Sequence, residues 1–403
     1  MLRIIFCFLI LSSILLNIQL VYTRMFDSNY LKYRYLDLNG NLIIDPKIKI
    51  IGDFSEGLSK VIKDNKLVYI NKCGKVVIDL GIDYSNMEGC GNFSEGLTFF
   101  ESKEMYDFIN PKGKVLIEDY GNKIGFINKR GEIVIKPEFY HVNNFHEGLA
   151  VVETKKGWCI INRTGKTILE PKNYIICATC CLLKQCRFSE GLFRVILSSK
   201  WERDRKSNKL IRIDKWGFIN NKGEIAIIGD YNWVDNFSEG FARFKKGLII
   251  YHTGIEEAYG GKYGFINKNG EIVIKAKYKN AKSFSEGLSA VCKKNNNWGY
   301  INKKGKMKIK PRFEEAYSFS CGFARVKIDG KFGYIDKSGN YIIQPTFENA
   351  KDFSQCYAAV EANGKWGYIG TNGKYFIEPK FLEAHSFSEG FARVKVEVDN
   401  NEP

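Results

Sequence analysis

The chain has 403 residues, a formal net charge of +16 at pH 7 and hydrophobic residues at 44% of its positions. Only four residues are histidines, and no H-x-x-H, H-E-x-x-H or G-x-S-x-G motif and no phosphate-cradling glycine loop occurs. These observations argue against the recognised hydrolase and nucleotide-binding classes, so we expect no catalytic residue, no metal and no cofactor. The excess of Lys and Arg favours an anionic partner, with a lysine-rich solvated surface as the alternative.

Residues 1–23 form a candidate targeting segment. Arg3 precedes an apolar run from Ile4 to Tyr22 that is interrupted by a few polar residues. A basic start followed by an apolar core is typical of a secretory signal, and Thr23 offers a small residue for cleavage. An uncleaved membrane anchor is the alternative, because the run approaches the length of a membrane span. Residues 24–32 are predicted to be a short linker.

A repeat array fills residues 33–396, and residues 397–403 form a polar tail. Its clearest copies start at Trp298, Phe332 and Trp366, with a period of 34 residues. Such a period indicates that one small supersecondary unit is stacked against its neighbours. The copies continue through about nine to ten units.

Each unit reads as a short β-meander. In the copy from Phe332, residues 332–336 alternate apolar with small or polar residues, Gly339 ends a turn, and a second run ends at Pro345. The F-S-E-G half supplies a third run, and Asn363-Gly364 then predicts a tight hairpin into the next copy. No window has the apolar spacing of an ordinary helix, so the fold class is all-β.

A glycine follows an aromatic residue inside a strand in most copies. Glycine weakens a strand unless a close approach requires it. We expect an aromatic ring of the adjacent unit to pack over these glycines, which are Gly217, Gly264, Gly299, Gly333 and Gly367.

The two ends of the array are complementary halves of one unit. The hairpin half occurs ten times, and the F-S-E-G half occurs nine times, with one missing between Phe108 and Phe126. The chain opens with a hairpin half and closes with F-S-E-G-F-A-R-V, so the ends together complete a unit and hide exposed edges. This favours a closed propeller-like ring. An open β-solenoid is the alternative, because nine or ten units exceed the usual four to eight blades.

Three insertions interrupt the period, at residues 79–91, 173–187 and 198–212. Insertions in repeat proteins map to loops on one face, which is often the binding face. The third insertion is strongly basic and is the candidate partner-contact loop, with Lys200, Arg203, Arg205, Lys206, Lys209 and Arg212.

The cysteines predict disulfides if the chain is exported. A candidate cluster lies in the second insertion and consists of Cys177, Cys180, Cys181 and Cys186. A disulfide-stapled loop is the favoured interpretation, with free thiols or a zinc site as alternatives. Cys321 and Cys356 occupy neighbouring places in successive F-S-E-G units and could bridge adjacent blades.

A glutamate recurs in the F-S-E-G half of most units. A ring of carboxylates could bind cations, but each copy serves its own unit. We therefore favour a structural role, in which the carboxylate holds a turn amide or a lysine of the neighbouring unit. These residues are Glu56, Glu95, Glu147, Glu190, Glu239, Glu286 and Glu389.

The units resemble the WG repeat family, also called WG β-repeats or KWG repeats. The motifs that support this resemblance are W-G-[FY]-I at Trp216, Trp298 and Trp366, together with the F-S-E-G copies. The resemblance spans residues 33–396. The resemblance implies tandem copies, frequent export, no general enzymatic activity and interaction roles. The chain departs from the pattern at Trp158-Cys159 and Gln355-Cys356, where W-G and E-G are expected.

We therefore expect an exported, secreted or cell-envelope protein that provides a protein- or glycan-binding scaffold. The alternatives are a structural cell-surface protein and, less favoured, an enzyme with an unrecognised site. The expected partner is a protein or an anionic glycan or lipid surface. Nucleic acid is disfavoured by the export signal, and membrane contact is expected only through an uncleaved N-terminal segment.

Overall fold

The computed structural model describes residues 32–43, 48–50, 52–83, 90–102, 123–170, 176, 187–203, 210–252, 256–293 and 296–396. Every regular element in these ranges is a β-strand, and the 34 strands form antiparallel sheets arranged as the nine blades of a β-propeller. The prediction of a closed all-β array is confirmed, with nine blades. The tenth hairpin copy, at residues 108–113, lies outside the described ranges, as do residues 1–31 and the tail at residues 397–403.

The first described strands are β1 (Lys32–Asp37) and β2 (Leu42–Ile43), which belong to the ninth blade. Every blade is a meander of up to four strands, lettered a to d from the start of its repeat unit. Blade 1 consists of β3 (Lys49–Ile50), β4 (Leu58–Lys63), β5 (Lys66–Asn71) and β6 (Val76–Asp83). Blade 2 consists of β7 (Leu97–Ser102), β8 (Lys123–Asn128) and β9 (Ile133–Phe139), which are its strands b to d. Blade 3 consists of β10 (His141–Val142), β11 (Leu149–Thr154), β12 (Gly157–Asn162) and β13 (Thr167–Leu169).

Blades 4 and 5 share one seven-stranded sheet. Blade 4 consists of β14 (Leu192–Arg203), β15 (Leu210–Asn220) and β16 (Ile225–Ile228), its strands b to d. Blade 5 consists of β17 (Trp233–Val234), β18 (Phe241–His252), β19 (Glu256–Asn267) and β20 (Ile272–Tyr278).

Blades 6 to 9 are the most regular. Blade 6 consists of β21 (Asn280–Ala281), β22 (Leu288–Cys292), β23 (Trp298–Asn302) and β24 (Met307–Phe313). Blade 7 consists of β25 (Glu315–Ala316), β26 (Ala324–Ile328), β27 (Lys331–Ile335) and β28 (Tyr341–Phe347). Blade 8 consists of β29 (Asn349–Ala350), β30 (Tyr357–Ala362), β31 (Lys365–Gly370) and β32 (Tyr375–Phe381). Blade 9 joins β33 (Glu383–Ala384) and β34 (Phe391–Val396) to β1 and β2.

The two ends of the array meet in blade 9, where the strand order is β2-β1-β34-β33. β1 and β34 pair antiparallel over six residue pairs, from Lys32↔Val396 to Asp37↔Phe391. This pairing replaces two exposed strand edges by a continuous sheet, which is the advantage of closing a β structure on itself. The closure of the ring by its two terminal halves is therefore confirmed.

The c–d turn is built by an Asn or Asp side chain and a glycine in most blades. In blade 6 the Asn302 Oδ1 accepts hydrogen bonds from the amides of Lys304 and Lys306, at 3.1 and 3.0 Å. Gly305 has a φ of 73°, a backbone region that glycine occupies without steric cost. The N-x-x-G pattern therefore forms a turn, because the side chain of its first residue accepts hydrogen bonds from two backbone amides of the turn.

The a–b turn is a two-residue hairpin that the sequence analysis did not identify. In blade 6, Ser285 and Leu288 exchange both backbone hydrogen bonds, at 2.9 and 3.2 Å. Glu286 and Gly287 between them have φ values of 51° and 83°. Two successive positive φ values define a type I′ turn, which matches the twist of the flanking strands. The E-G pair of each F-S-E-G is therefore the turn itself.

The glycine that follows the aromatic residue has a different reason from the predicted one. A Cβ on Gly299 would lie 2.5 Å from the carbonyl oxygen of Ile309 and 2.7 Å from the nitrogen of Pro311. Both atoms belong to strand d of the same blade, where the register between β23 and β24 shifts. The prediction of an aromatic ring from the adjacent unit was wrong, because the backbone of the bulged neighbouring strand occupies the space.

The apolar core lies between adjacent blades. One cluster joins Tyr300, Ile309 and Phe313 of blade 6 to Phe319 and Val326 of blade 7, and all five side chains are buried. A single four-stranded sheet cannot bury both of its faces, so each blade depends on a neighbour on either side.

The a–b and c–d turns of an antiparallel meander lie at one end of the strands, and the b–c turn lies at the other. All a–b and c–d turns therefore share one face of the disc, the turn face, and the b–c turns lie on the opposite hairpin face. On the turn face the Ser285 Oγ donates to the Phe319 carbonyl of the next blade at 2.7 Å, and the Ser388 Oγ donates to the Phe54 carbonyl at 2.9 Å. Because neighbouring a–b turns touch, their ring is small and the a strands lie near the axis.

Candidate interaction surface

Blades 4 and 5 have much longer b and c strands than the other blades. β14, β15, β18 and β19 have 11 or 12 residues, whereas the b and c strands of blade 6 have five. The two long hairpins also pair with each other, through Ile211↔Tyr251 and Arg212↔Ile250. The result is a four-stranded projection on the hairpin face. We call it the hairpin extension, and its described residues are 198–203, 210–215, 248–252 and 256–260.

The basic insertion at residues 198–212 was predicted to be a loop. In its described residues it is strand instead, because β14 and β15 stay paired out to Arg203↔Leu210. β18 covers the outer part of the β15 edge, which satisfies backbone groups that a surface loop would leave to water. The basic residues are consequently held on a sheet and have defined sides.

One side of the hairpin extension carries an exposed tryptophan beside guanidinium groups. Trp201 pairs across the strands with Arg212, and Arg203 lies two residues from Trp201, so all three side chains share a side. The Arg212 guanidinium lies 5.8 Å from the centroid of the Trp201 ring, and Trp201 is 48% exposed. A large aromatic ring and arginines in one patch are enriched at binding surfaces.

A buried carboxylate orients this side. Asp214 is 2% exposed and accepts hydrogen bonds from the Ser199 hydroxyl at 2.6 Å and the Arg212 Nε at 3.2 Å. Asp214 therefore holds the Arg212 guanidinium beside the Trp201 ring. Arg203 is exposed and adds a second guanidinium group to this side.

The predicted contact residues are only partly brought together. Arg203 and Arg212 lie on the Trp201 side, whereas Lys200 lies on the other side and pairs with Glu202 at 3.0 Å. Arg205, Lys206 and Lys209 lie outside the described residues, in the part of the sequence between β14 and β15. Trp201 was missed, although a tryptophan without a following glycine in a basic stretch was a usable signal.

The recurring glutamates connect each blade to the next one on the turn face. The Glu239 carboxylate of blade 5 accepts a hydrogen bond from the Gly287 amide of blade 6 at 2.9 Å and lies 3.3 Å from the Lys303 ammonium of that blade. Five such lysine pairs occur among the described residues: Lys72–Glu389, Lys129–Glu56, Lys268–Glu190, Lys303–Glu239 and Lys337–Glu286. The predicted structural role of these glutamates is confirmed. We call this set the latch ring.

Replacing Glu239 by alanine is expected to lower the free energy of unfolding by about 1–2 kcal/mol, because a charge-assisted hydrogen bond and a partly exposed ion pair are lost. Burial opposes ionisation of Glu239, but the Gly287 amide and Lys303 hold its pKa below the usual range. A depressed pKa stabilises the fold above the ordinary pKa of glutamate, so the difference from wild type is expected to vanish in acid. Urea denaturation of the wild type and the variant at neutral and acidic pH measures this difference in the free energy of unfolding.

Glu271→Ala is the matched control in the same blade. Glu271 is exposed, and among the described residues its carboxylate accepts a hydrogen bond from the Asn267 side chain alone, at 2.6 Å, within its own turn. Its removal is expected to cost less than about 0.5 kcal/mol. Equal losses for the two variants would show that the latch adds nothing beyond a surface charge.

Cationic side chains on the b strands form a second set of contacts between blades. Arg243 of blade 5 donates to the Ala281 carbonyl of blade 6 and to Asp235 of its own blade. Arg194 is 1% exposed and donates to the Val234 carbonyl at 3.0 Å. Burial opposes ionisation of Asp235, yet the two guanidiniums hold its pKa below the usual range. Part of the positive charge is therefore used inside the ring.

The two cysteines of the F-S-E-G units do not form the predicted bridge. Cys321 and Cys356 are exposed free thiols. Cys356 occupies the position that glycine has in the other a–b turns. A Cβ atom built at that position in three other blades, on Gly57, Gly148 or Gly322, has no atom within 4 Å. The carboxylate of the preceding blade is therefore also more than 4 Å away. A side chain at this place therefore has open space around it and makes no contact with the side chain of the preceding blade. The cluster of Cys177, Cys180, Cys181 and Cys186 lies outside the described residues, so its disulfide prediction stays open.

Neither a metal site nor a membrane-spanning helix occurs in the part of the chain that the structure describes. There, no three His, Cys, Asp or Glu side chains are grouped to hold an ion. No helix in the same residues has the length and apolarity needed to cross a bilayer.

The fold and its turns define a nine-bladed propeller of WG-type units. The family model described as WG containing repeat matches residues 33–66, 124–158, 216–247, 263–297, 298–332, 332–366 and 366–397, together more than half of the chain. The chain therefore belongs to the WG-repeat family.

Comparison with other proteins adds similarity in shape only. No curated protein sequence matches the chain. A eukaryotic initiation factor structure has a TM-score of 0.48 at 10% identity, covering 87% of this chain and 96% of that one. BamB from Moraxella catarrhalis has a TM-score of 0.32 at 10% identity over 64% and 81% of the two chains. Hsv2p from Kluyveromyces lactis has a TM-score of 0.32 at 10% identity over 68% and 89%.

Proposed function

We propose that this protein is an exported, non-catalytic scaffold whose hairpin extension binds an anionic protein surface or glycan. The observation that carries the proposal is the extension itself. The ring closes through β1 and β34 without it, yet β14, β15, β18 and β19 all continue beyond the length of an ordinary blade. The added sheet presents Trp201 and Arg203 on one side.

The chemistry of that side supports an anionic partner. Trp201 offers a rigid apolar ring and Arg203 offers a planar group that can form two parallel hydrogen bonds to a carboxylate or sulfate. Three further basic residues, Arg205, Lys206 and Lys209, lie in the adjoining part of the sequence. The export part of the proposal rests on the basic and apolar pattern of residues 1–23, which is typical of a secretory signal.

The replacement Arg203→Glu is expected to weaken binding of a sulfated glycan or an acidic peptide by about fivefold at low salt, because one exposed charge contributes on the order of 1 kcal/mol. Adding Trp201→Ala is expected to weaken binding by more than about tenfold, since exposed aromatic anchors carry much of the energy of an interface. Affinities measured by surface plasmon resonance at two salt concentrations test this, because screening should reduce the Arg203 effect at higher salt.

Lys304→Glu provides the matched charge reversal on the turn face. Lys304 is exposed and lies in the c–d turn of blade 6, on the opposite side of the disc from the hairpin extension. Its replacement is expected to leave the affinity nearly unchanged. A loss as large as that of Arg203→Glu would mean that net charge, and not this surface, governs binding.

A structural cell-surface role is the second candidate, favoured by apolar side chains near the start of the d strands. Several of them are strongly exposed: Ile133, Ile225, Ile272, Val273, Ile342 and Tyr375. Exposed apolar groups along an outer strand can pair one copy with another. Light scattering separates the two roles, because a mass that grows with concentration would favour assembly over binding by single copies.

A further inference from the structure

We infer that the a–b turn of blade 8, residues 354–357, is a binding site for a carboxylate supplied from outside the chain. This inference is independent of the hairpin extension, because the turn lies on the opposite face of the disc. It rests on an internal comparison among nine equivalent turns, of which eight bind a side chain from the preceding blade.

The eight filled turns share one geometry. In each, the amide of the residue in the glycine place donates to a side-chain oxygen of the preceding blade at 2.7–3.2 Å. Seven of the acceptors are glutamates and the eighth is Gln355. In the first and fourth blades the preceding amide of the turn donates to the same carboxylate as well. The type I′ turn therefore works as a two-amide receptor for a carboxylate.

The turn of blade 8 has the same donor geometry. Ser354 and Tyr357 exchange both backbone hydrogen bonds, at 2.8 and 3.0 Å. Gln355 and Cys356 have positive φ values of 49° and 67°, as the Glu and Gly residues of the other turns do. The Ser354 hydroxyl continues the ring by donating to the Phe387 carbonyl at 2.7 Å. On the other side, the Ser320 hydroxyl donates to the Phe353 carbonyl at 2.7 Å, so the receptor is formed and held in place from both sides.

The internal acceptor is what differs. The preceding blade carries Cys321 where the other turns have Glu or Gln, and a thiol ends two atoms short of a glutamate oxygen. Among the described residues, no hydrogen bond joins Cys321 to the amides of Gln355 or Cys356. The lysine that pairs with the glutamate in five blades is Thr371 here, so the whole ion pair has been replaced.

An incoming carboxylate would meet little repulsion at this turn. In six of the filled turns, those of blades 1 to 6, the incoming glutamate lies beside the glutamate of the turn itself. Here neither Cys321 nor Gln355 is acidic, so a carboxylate would meet less repulsion than at any turn that keeps its own glutamate. Cys321 and Cys356 are both exposed, which gives the ligand access from solvent. The source can be a small free carboxylate or an acidic side chain of a peptide.

Selective ¹⁵N-cysteine labelling makes the proposed donor directly visible by NMR, because the Cys356 amide is itself one of the two receptor groups. Its resonance is assigned by its disappearance in Cys356→Gly, which restores the residue found in the other turns. Sodium formate is the probe for a small carboxylate, and a glutamate peptide with blocked ends is the probe for an acidic segment. Sodium chloride at equal ionic strength is the control titration.

The Cys356 amide proton is expected to shift downfield and to saturate with formate or the peptide, but not with chloride. The Cys73 amide already donates to the Asn71 side chain at 3.0 Å and is expected to stay unchanged in the same spectra. Saturation by the peptide at lower concentration than by formate would assign the site to acidic segments, and equal concentrations would assign it to small carboxylates.

Cys321→Glu is expected to supply the internal carboxylate. The Cys356 amide should then be shifted downfield without ligand and should no longer respond to formate, and the midpoint of thermal unfolding should rise. Cys321→Gln is the second variant, since Gln355 already makes this bond to Gly390 at 2.8 Å. The inference would be overturned if the Cys356 amide resonance did not shift with either probe, or if it shifted equally in wild type and Cys321→Glu.

Discussion

Deleting residues 383–403 is expected to abolish cooperative folding of the whole ring. The deletion removes β33 and β34, and with them the six residue pairs that join β34 to β1. It also removes Phe387 and Val394 and exposes Leu36, Tyr368 and Phe381 in the cluster between blades 8 and 9. Each large apolar side chain contributes about 2 kcal/mol when buried, so the total is on the order of 10 kcal/mol. That is comparable to the full stability of a typical domain.

Circular dichroism and thermal denaturation of the purified chain measure this loss. Deletion of residues 397–403 alone leaves β34 complete and is expected to have little effect. If the long deletion gives no soluble protein, Val394→Ala provides a second test. It is expected to lower the free energy of unfolding by about 1–3 kcal/mol, because Val394 is fully buried. A chain that lacks residues 383–403 and melts as the full chain does would show that the ring is not closed by β1 and β34.

Raising the pH above 10 is expected to unfold the protein by about pH 12. Five buried tyrosines donate their hydroxyls to a carbonyl in the first part of the next blade, at 2.6–2.8 Å: Tyr35, Tyr69, Tyr300, Tyr334 and Tyr368. Burial raises the pKa of each phenol well above its ordinary value of about 10. The folded chain therefore keeps these protons when the unfolded chain has lost them.

The sign follows from proton linkage. A raised pKa contributes stability below pH 10, and that stability is lost as the pH rises towards the folded value. Each tyrosine costs about 1.4 kcal/mol per pH unit above 10, so the five together cost about 7 kcal/mol per unit. A late step in tyrosinate absorbance should coincide with the change in circular dichroism, because these five phenols ionise only when the ring opens, after the more exposed tyrosines.

Tyr300→Phe is the matched control, since phenylalanine occupies the same place in other blades as Phe126, Phe218 and Phe265, all of them buried. At neutral pH the variant is expected to be about 1 kcal/mol less stable, because the Tyr317 carbonyl loses its donor. At pH 11 this deficit should disappear or reverse, since the wild type loses stability by keeping the Tyr300 phenol protonated and the variant has no phenol there. A deficit that is the same at both pH values would remove the buried phenols as the cause of alkaline unfolding.

Much of the fold could be predicted from local patterns. The positions of Gly339 and Asn363-Gly364 predicted turns, and both have positive φ values in the structure. The unmatched halves at the two ends predicted the pairing of β1 with β34. The reason for Gly299 could not be predicted, because the contact that excludes a Cβ comes from a register shift in β24, and the local sequence does not record register.

The candidate surface was predicted less well. The basic composition of residues 198–212 marked the right part of the chain, but composition does not say which residues share a side. Pairing of β14 with β15 separates Lys200 from Arg203 and brings Trp201 to Arg212. The pairing of β15 with β18 joins residues about 40 positions apart, and no local pattern encodes it.

By itself, the sequence determined the repeat unit, the pattern of strands within it and the complementarity of the two ends of the array. These features depend on turn chemistry and on the alternation of apolar and polar residues within some 34 residues. Only the tertiary structure decided that the ring has nine blades, that the latch glutamates reach forward to the next turn, and that the turn of blade 8 lacks its carboxylate. Those features arise between units, where the partner of a side chain is set by how neighbouring blades pack.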